Sequence, residues 1–158
     1  MAIEWLGFAR LIQPVLSVYE RIVGKAPHAD FEPGDDGVKL RVHNPRTDTI
    51  IIEKIRAEPP LLAFSTGPET YDIARAIAPL PNEPVTVVQP QKSVELPLIT
   101  LHPFDTLPPT TSIKVTVYWR SSSRGMFSKS TVKRKITVRD IGDLKFAVEQ
   151  RAPRIRFV

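Results

Sequence analysis

The chain has 158 residues, of which 42% are hydrophobic, and this combination predicts one folded domain with an appendage and excludes disorder throughout. Sixteen prolines, roughly twice ordinary usage, and only seven glycines indicate many short elements joined by stiff turns. The absence of cysteine excludes disulfides and thiol chemistry, and the net charge of +5 divides into +9 over residues 112–158 (twelve bases, three acids) and −4 over residues 1–111 (ten bases, fourteen acids).

Residues 1–25 predict an amphipathic amino-terminal helix. Apolar side chains recur at three- and four-residue steps and form its expected interface: Trp5, Phe8, Ile12, Leu16 and Tyr19. The segment lacks the basic start of a signal peptide and the long apolar run of a membrane span. Its stripe can cover its own domain, another protein or a bilayer surface. We expect protein, because Glu4 and Glu20 offset the positive charge that an interfacial membrane helix uses.

Residues 26–37 predict an acidic linker, whose acids do not follow the spacing of an EF-hand calcium loop. The β region follows at residues 38–140. Its first two strands are predicted at 38–43 and 49–57, where apolar and polar residues alternate or β-branched residues accumulate, and the turn residues between them indicate a hairpin.

Short strands are further predicted at 61–65, 85–89 and 94–100. Pro97 makes the last of these an edge strand, a bulge or two pieces, because proline cannot donate to a sheet ladder. Residues 68–78 fit a helix or a strand, and the Pro68-Glu69 start favours a short helix.

Two basic strands are predicted at 112–120 and 131–138. One face of each is apolar, and the sandwich core is expected to include Leu40, Val42, Ile52, Val115, Val117, Trp119 and Ile136. Between Asp105 and Asp140 there are eight bases and no acid. The candidate binding residues lie on this hairpin and its loop: Arg124, Phe127, Lys129, Lys133, Arg134 and Lys135. They form either a surface for an anionic partner or a solubilising face.

Residues 141–158 predict a basic carboxy-terminal segment, whose first part suits a last strand or a short helix. Turn-punctuated short strands over about one hundred residues are typical of an antiparallel sandwich. The chain resembles immunoglobulin-like domains of the fibronectin type III kind. The matching parts are the segment 38–57 and the two basic strands, where Tyr118 and Trp119 lie near the closing hairpin. The resemblance covers residues 38–140, without a Cys-Trp-Cys framework, and implies a β-sandwich that serves as an interaction module.

No catalytic residue, metal site or cofactor is predicted. The three histidines, His28, His43 and His102, are isolated in the sequence, and the serines at 121–123 have no nucleophile-elbow glycines around them. We therefore expect a cytoplasmic, non-enzymatic protein-interaction or assembly module that binds an acidic partner or itself. Two alternatives stay open: a nucleic-acid-binding protein that uses the hairpin at 112–139, and a peripheral membrane protein anchored by the amino-terminal helix.

Overall fold

The computed structural model describes residues 25–123 and 129–151. The expected interface of the amino-terminal helix lies outside these residues, and so do Arg124 and Phe127. Within them the protein is mainly β, with two antiparallel four-stranded sheets and two α-helices. The predicted β-rich, two-sheet class is confirmed.

The first sheet contains, in order across it, β1 (His28–Pro33), β2 (Val38–His43), β6 (Ser93–Thr100) and β4 (Leu62–Phe64). Strand β1 corrects the linker predicted at 26–37. Ala29 is fully buried and Phe31 packs against the core, whereas Asp30 and Glu32 point outward and pair with arginines. Two of the four acids that suggested a linker therefore lie on the solvent side of a strand.

The second sheet contains, in order, β5 (Thr86–Val88), β3 (Ile50–Glu58), β7 (Ser112–Ser121) and β8 (Lys129–Thr137). The two basic strands pair antiparallel along their length, as predicted. The predicted hairpin of β2 and β3 is wrong, because β2 pairs with β1 and β6 while β3 pairs with β5 and β7. The connection at 44–48 carries the chain from one sheet to the other.

Asn44 holds that connection in place. Its buried side-chain amide donates to three backbone carbonyls: Asp48 (2.9 Å), Val88 (3.1 Å) and Gln89 (3.1 Å). These bonds join the end of β2 to the end of β5, so the segment bridges the sheets instead of turning back. Turn-forming residue types alone do not distinguish these two outcomes.

All seven predicted core residues are buried. Leu40 and Leu96 from the first sheet and Ile52 and Ile113 from the second belong to one hydrophobic cluster. Each of these side chains contributes about 2 kcal/mol by leaving water. The inner faces of both sheets therefore share a single core.

Strand β6 has two partners along its length. Residues 93–97 pair with β2, and residues 98–100 pair with β4. Pro97 lies where the partner changes, but β6 continues through it as one strand inside the sheet, so the prediction of an edge strand, a bulge or two pieces is not confirmed. A proline is tolerated there because the ladder is interrupted at that point.

Two helices complete the fold: α1 (Thr70–Ile77), as predicted, and α2 (Val138–Arg151). Helix α2 confirms the helical alternative for the first part of the segment predicted at 141–158, and β8 ends at Thr137 rather than at Val138. Thr137 and Asp140 explain this boundary. The Asp140 carboxylate accepts the Thr137 N–H (2.9 Å), while the Thr137 hydroxyl accepts the Asp140 N–H (3.1 Å), which is a capping box.

Candidate binding surface

The outer face of the second sheet carries a cluster of basic residues. Strand β7 turns Ile113, Val115, Val117 and Trp119 into the core, so its alternate residues face outward: Lys114, Thr116, Tyr118 and Arg120. A bulge between Ile52 and Lys54 on the neighbouring strand β3 shifts the alternation, and it brings Lys54, Arg56 and Glu58 to the same side.

The strand register sets these side chains in rows across β8, β7 and β3. The rows are Lys135-Lys114-Glu58, Lys133-Thr116-Arg56, Thr131-Tyr118-Lys54 and Lys129-Arg120-Ile51. We call this surface the basic face. It contains seven cations: Lys54, Arg56, Lys114, Arg120, Lys129, Lys133 and Lys135.

Two carboxylates reach the basic face. Glu53 accepts from Arg120 (Nε to Oε1, 3.0 Å) and from Lys129 (Nζ to Oε2, 3.4 Å). Glu58 pairs with Arg56 at 3.2 Å. Seven cations and two carboxylates give this surface a formal charge of +5.

Four lysines of the basic face form no ion pair within the described residues: Lys54, Lys114, Lys133 and Lys135. They surround Thr116, which points outward yet is only 6% exposed because Arg56 and Lys133 flank it across the strands. Lys114 and Lys135 stand directly opposite each other, an arrangement of like charges that costs stability.

The outer face of the first sheet is different. There the basic side chains have acidic partners: Lys39 pairs with Glu95 (3.0 Å) and Arg41 with Glu32 (3.4 Å). The hydrogen bond to Glu95 raises the pKa of Lys39. Charge is balanced on one side of the molecule and unbalanced on the other.

The structure rearranges the predicted set of binding residues. Lys129, Lys133 and Lys135 lie together on the basic face, where their role in binding stays a prediction. Arg134 does not lie there, because alternation turns it to the opposite side of β8. Its guanidinium donates from Nε to the carbonyl oxygen of Ala29 and pairs with Asp30 at 3.0 Å. Arg134 therefore joins β8 to β1.

Sequence reasoning missed Lys54 and Arg56 as members of the same surface, and it left Lys114 out of the candidate set. The bulge in β3 and the pairing of β3 with β7 bring them there. Two usable signals were Lys114 and Arg120, which occupy outward positions of a strand already predicted to be basic.

A second polar cluster lies at the sheet connection. Asp48 accepts from Arg46 (Nε to Oδ1, 2.6 Å), from Ser123 (2.9 Å) and from Ser121. Partial burial would raise the pKa of Asp48, but the hydrogen bonds from these three side chains outweigh it and hold the pKa well below its usual range. The carboxylate stays charged, and Arg46 also stacks on the Trp119 ring at 5.6 Å. This cluster fastens the connection at 44–48 to the end of β7.

Two open grooves flank the first sheet. One, with a volume of about 410 Å³, lies between β1, β8 and α2 and has Phe31, Ile136 and Leu144 among its lining residues. The other, of about 290 Å³, is lined by His28 and His43 with charged neighbours, and His43 Nδ1 lies 3.0 Å from the hydroxyl of Ser93. No group of three or more ligand side chains in residues 25–123 and 129–151 is arranged to hold a metal ion.

In the same part of the chain, neither helix is long and apolar enough to cross a bilayer. Comparisons with protein-family models, with curated proteins and with solved structures found no match to this chain.

Proposed function

We propose that this protein is a non-enzymatic interaction module that holds an anionic partner on its basic face. The observation that carries the proposal is the group of four unpaired lysines around Thr116, within a surface of formal charge +5. Clustered charge of one sign focuses the electric field over one surface and attracts a partner of opposite charge. A cytoplasmic setting remains a prediction.

A solubilising role explains this surface less well. Surfaces that serve solubility intersperse both signs, as the ion-paired outer face of the first sheet does. Lys114 and Lys135 stand opposite each other, which costs stability, and the one acid in their row, Glu58, pairs with Arg56. An anionic partner would offset that cost on binding.

We also propose that the fold is related to immunoglobulin-like sandwiches. The strand order supports this: β1-β2-β6-β4 with β3-β7-β8 corresponds to the two sheets of a constant-type domain, and β5 adds to the free edge of β3. The departure is that β5 follows β4 along the chain, after helix α1. Domains of this architecture mostly bind other macromolecules, which agrees with the proposed role.

The first experiment measures binding to simple polyanions. We expect the wild-type protein to bind fluorescein-labelled heparin or polyglutamate at low salt, and the affinity to fall as salt shortens the Debye length. The double variant Lys133→Glu/Lys135→Glu should bind about tenfold or more weakly, because it reverses two of the four unpaired charges.

The matched control is Lys25→Glu/Lys92→Glu, which changes the net charge equally at two exposed lysines away from the strands of the basic face. It should retain most of the affinity. Circular dichroism checks that both variants are folded. Equal binding by wild type and the Lys133/Lys135 variant at low salt would show that the basic face is only a solubilising surface.

A further inference from the structure

We propose that the anionic partner is a single-stranded nucleic acid, which lies across the basic face with a base against the ring of Tyr118. The inference rests on the proposed function, since it names the partner of the same surface. Three features of that surface carry it: the position of the aromatic ring, the close spacing of the cations and the place of the apolar residues.

Tyr118 lies in β7, one of the two inner strands of the sheet, between Lys54 on β3 and Thr131 on β8. Its side chain is partly exposed on the outer side. A partly exposed ring within a sheet, surrounded by cations, is a platform on which an unpaired base can stack, because every base offers a π-face. The phosphates on either side of that base would then meet the flanking lysines and arginines.

The cations near Tyr118 lie close together on adjacent strands. Lys133 and Lys135 are two residues apart on β8, which corresponds to about 6.7 Å, and Lys114 lies one strand further, at about 4.8 Å. A nucleic-acid strand presents negative charges at even intervals along its backbone, whatever its sequence. Thr116 and Thr131 add hydroxyl groups between the cations, and such groups also contact phosphate oxygens.

The apolar residues of this face argue against a protein or a bilayer as the partner. Ile51 and Val87 form a cross-strand pair near the edge of the sheet, in the row furthest from Lys114 and Lys135. The centre of a protein interface is enriched in apolar residues and depleted of lysine, whereas the centre here holds Thr116 among cations. A surface that enters a bilayer needs apolar side chains between its bases, and this one has none there.

The test compares partners of matched charge with the full-length protein. The probes are labelled twelve-residue oligodeoxythymidylate and oligouridylate, a polyglutamate of equal charge, the corresponding duplex, and vesicles that contain phosphatidylserine. We expect fluorescence anisotropy to show tighter binding to the single strands than to the other three probes. The logarithm of the affinity should fall with the logarithm of salt with a slope of about −3, roughly 0.7 for each of four lysine contacts.

Variants at Tyr118 separate stacking from charge. Tyr118→Phe should keep the affinity for the single strands, and Tyr118→Leu should lose about tenfold, since stacking on one base is worth that order of magnitude. Neither variant should alter binding to polyglutamate. Thermal midpoints confirm that both are folded. As a second measurement that does not depend on this ring, Lys54→Glu/Lys114→Glu should weaken oligonucleotide binding by tenfold or more.

The outcomes distinguish this inference from the proposed function. Polyglutamate or vesicles bound as tightly as the oligonucleotides would overturn the nucleic-acid assignment and leave the anionic-partner surface standing. An unchanged affinity of Tyr118→Leu for the single strands would also overturn it. Failure of every polyanion to bind at low salt would refute both.

Discussion

At the residue scale, Asp48 fastens the connection between the sheets to the end of β7. It binds Arg46, which is only 6% exposed, and the serines at the end of β7. The pKa of Asp48 is lower in the folded chain than in the unfolded chain, so its contribution to stability is complete above the unfolded value of about 3.9 and disappears as pH falls through the folded value.

We expect Asp48→Asn to lower the free energy of unfolding by about 2 kcal/mol at pH 7, because Arg46 loses its carboxylate partner in a buried setting. The difference from wild type should shrink as pH is lowered below about 4. Chemical denaturation at a series of pH values measures both effects. Asp143→Asn, at an exposed position of α2, is the control and should change little. An equal loss in both variants, or a loss at Asp48 that does not vary with pH, would contradict the assignment.

Val117 and Val87 are two valines in strands that differ in burial, so the same substitution at each tests the assignment of the core. Val117 is 1% exposed within the shared cluster, and Val87 is 48% exposed on the short strand β5. We expect Val117→Ala to cost about 1 to 3 kcal/mol through lost burial and a residual cavity. Val87→Ala should stay within about 0.5 kcal/mol of wild type. Urea midpoints compare them, and equal midpoints would place Val117 outside the core.

At the element scale, the side chains on the two sides of β8 have different roles. Its outward lysines belong to the basic face, while Arg134 fastens the strand to β1. Arg134→Ala should therefore lower the free energy of unfolding by about 1 kcal/mol and weaken polyanion binding less than Lys133→Ala does. Lys133→Ala should leave stability nearly unchanged. If Arg134→Ala proves the weaker binder, the assignment of Arg134 to the inner side is wrong.

Strands and core positions were predictable where alternation is strong. The seven core residues, β7 with β8, and the short helix at 70–77 follow from local patterns, and the structure confirms them. Strand β1 was not predictable in the same way, because two of its six residues are acids that pair with distant arginines, and local composition does not reveal those partners.

The candidate surface was predictable only in part, for a related reason. The bases of β7 and β8 are adjacent in the sequence, so their common face follows from alternation. Lys54 and Arg56 join that face through a bulge and through the pairing of β3 with β7, which are separated by more than fifty residues. Because β3 was expected to pair with β2, the sequence did not indicate that Lys54 and Arg56 belong to the basic face. Long-range pairing, which no short pattern encodes, decided the extent of the surface.

At the scale of the whole molecule, the two sheets expose different surfaces. The first presents ion pairs, and the second presents unpaired lysines. A partner with negative charge would therefore approach from one direction, and its association rate should depend on salt more strongly than its dissociation rate. The sharing of one core by both sheets keeps the two surfaces on opposite sides.

The contact between β1 and β8 also determines when the protein can complete its fold. Arg134 reaches Ala29 and Asp30 across more than one hundred residues, so β1, which pairs with the nearby strand β2, makes this second contact only after β8 has been synthesised. Sheets built from such distant pairings fold slowly, on the order of milliseconds to seconds, because the chain must close long loops before these contacts form. In a nascent chain that stops before β8, the edge of β7 is unpaired and β1 lacks its contact with Arg134. The fold can therefore be completed only after residue 134 has left the ribosome.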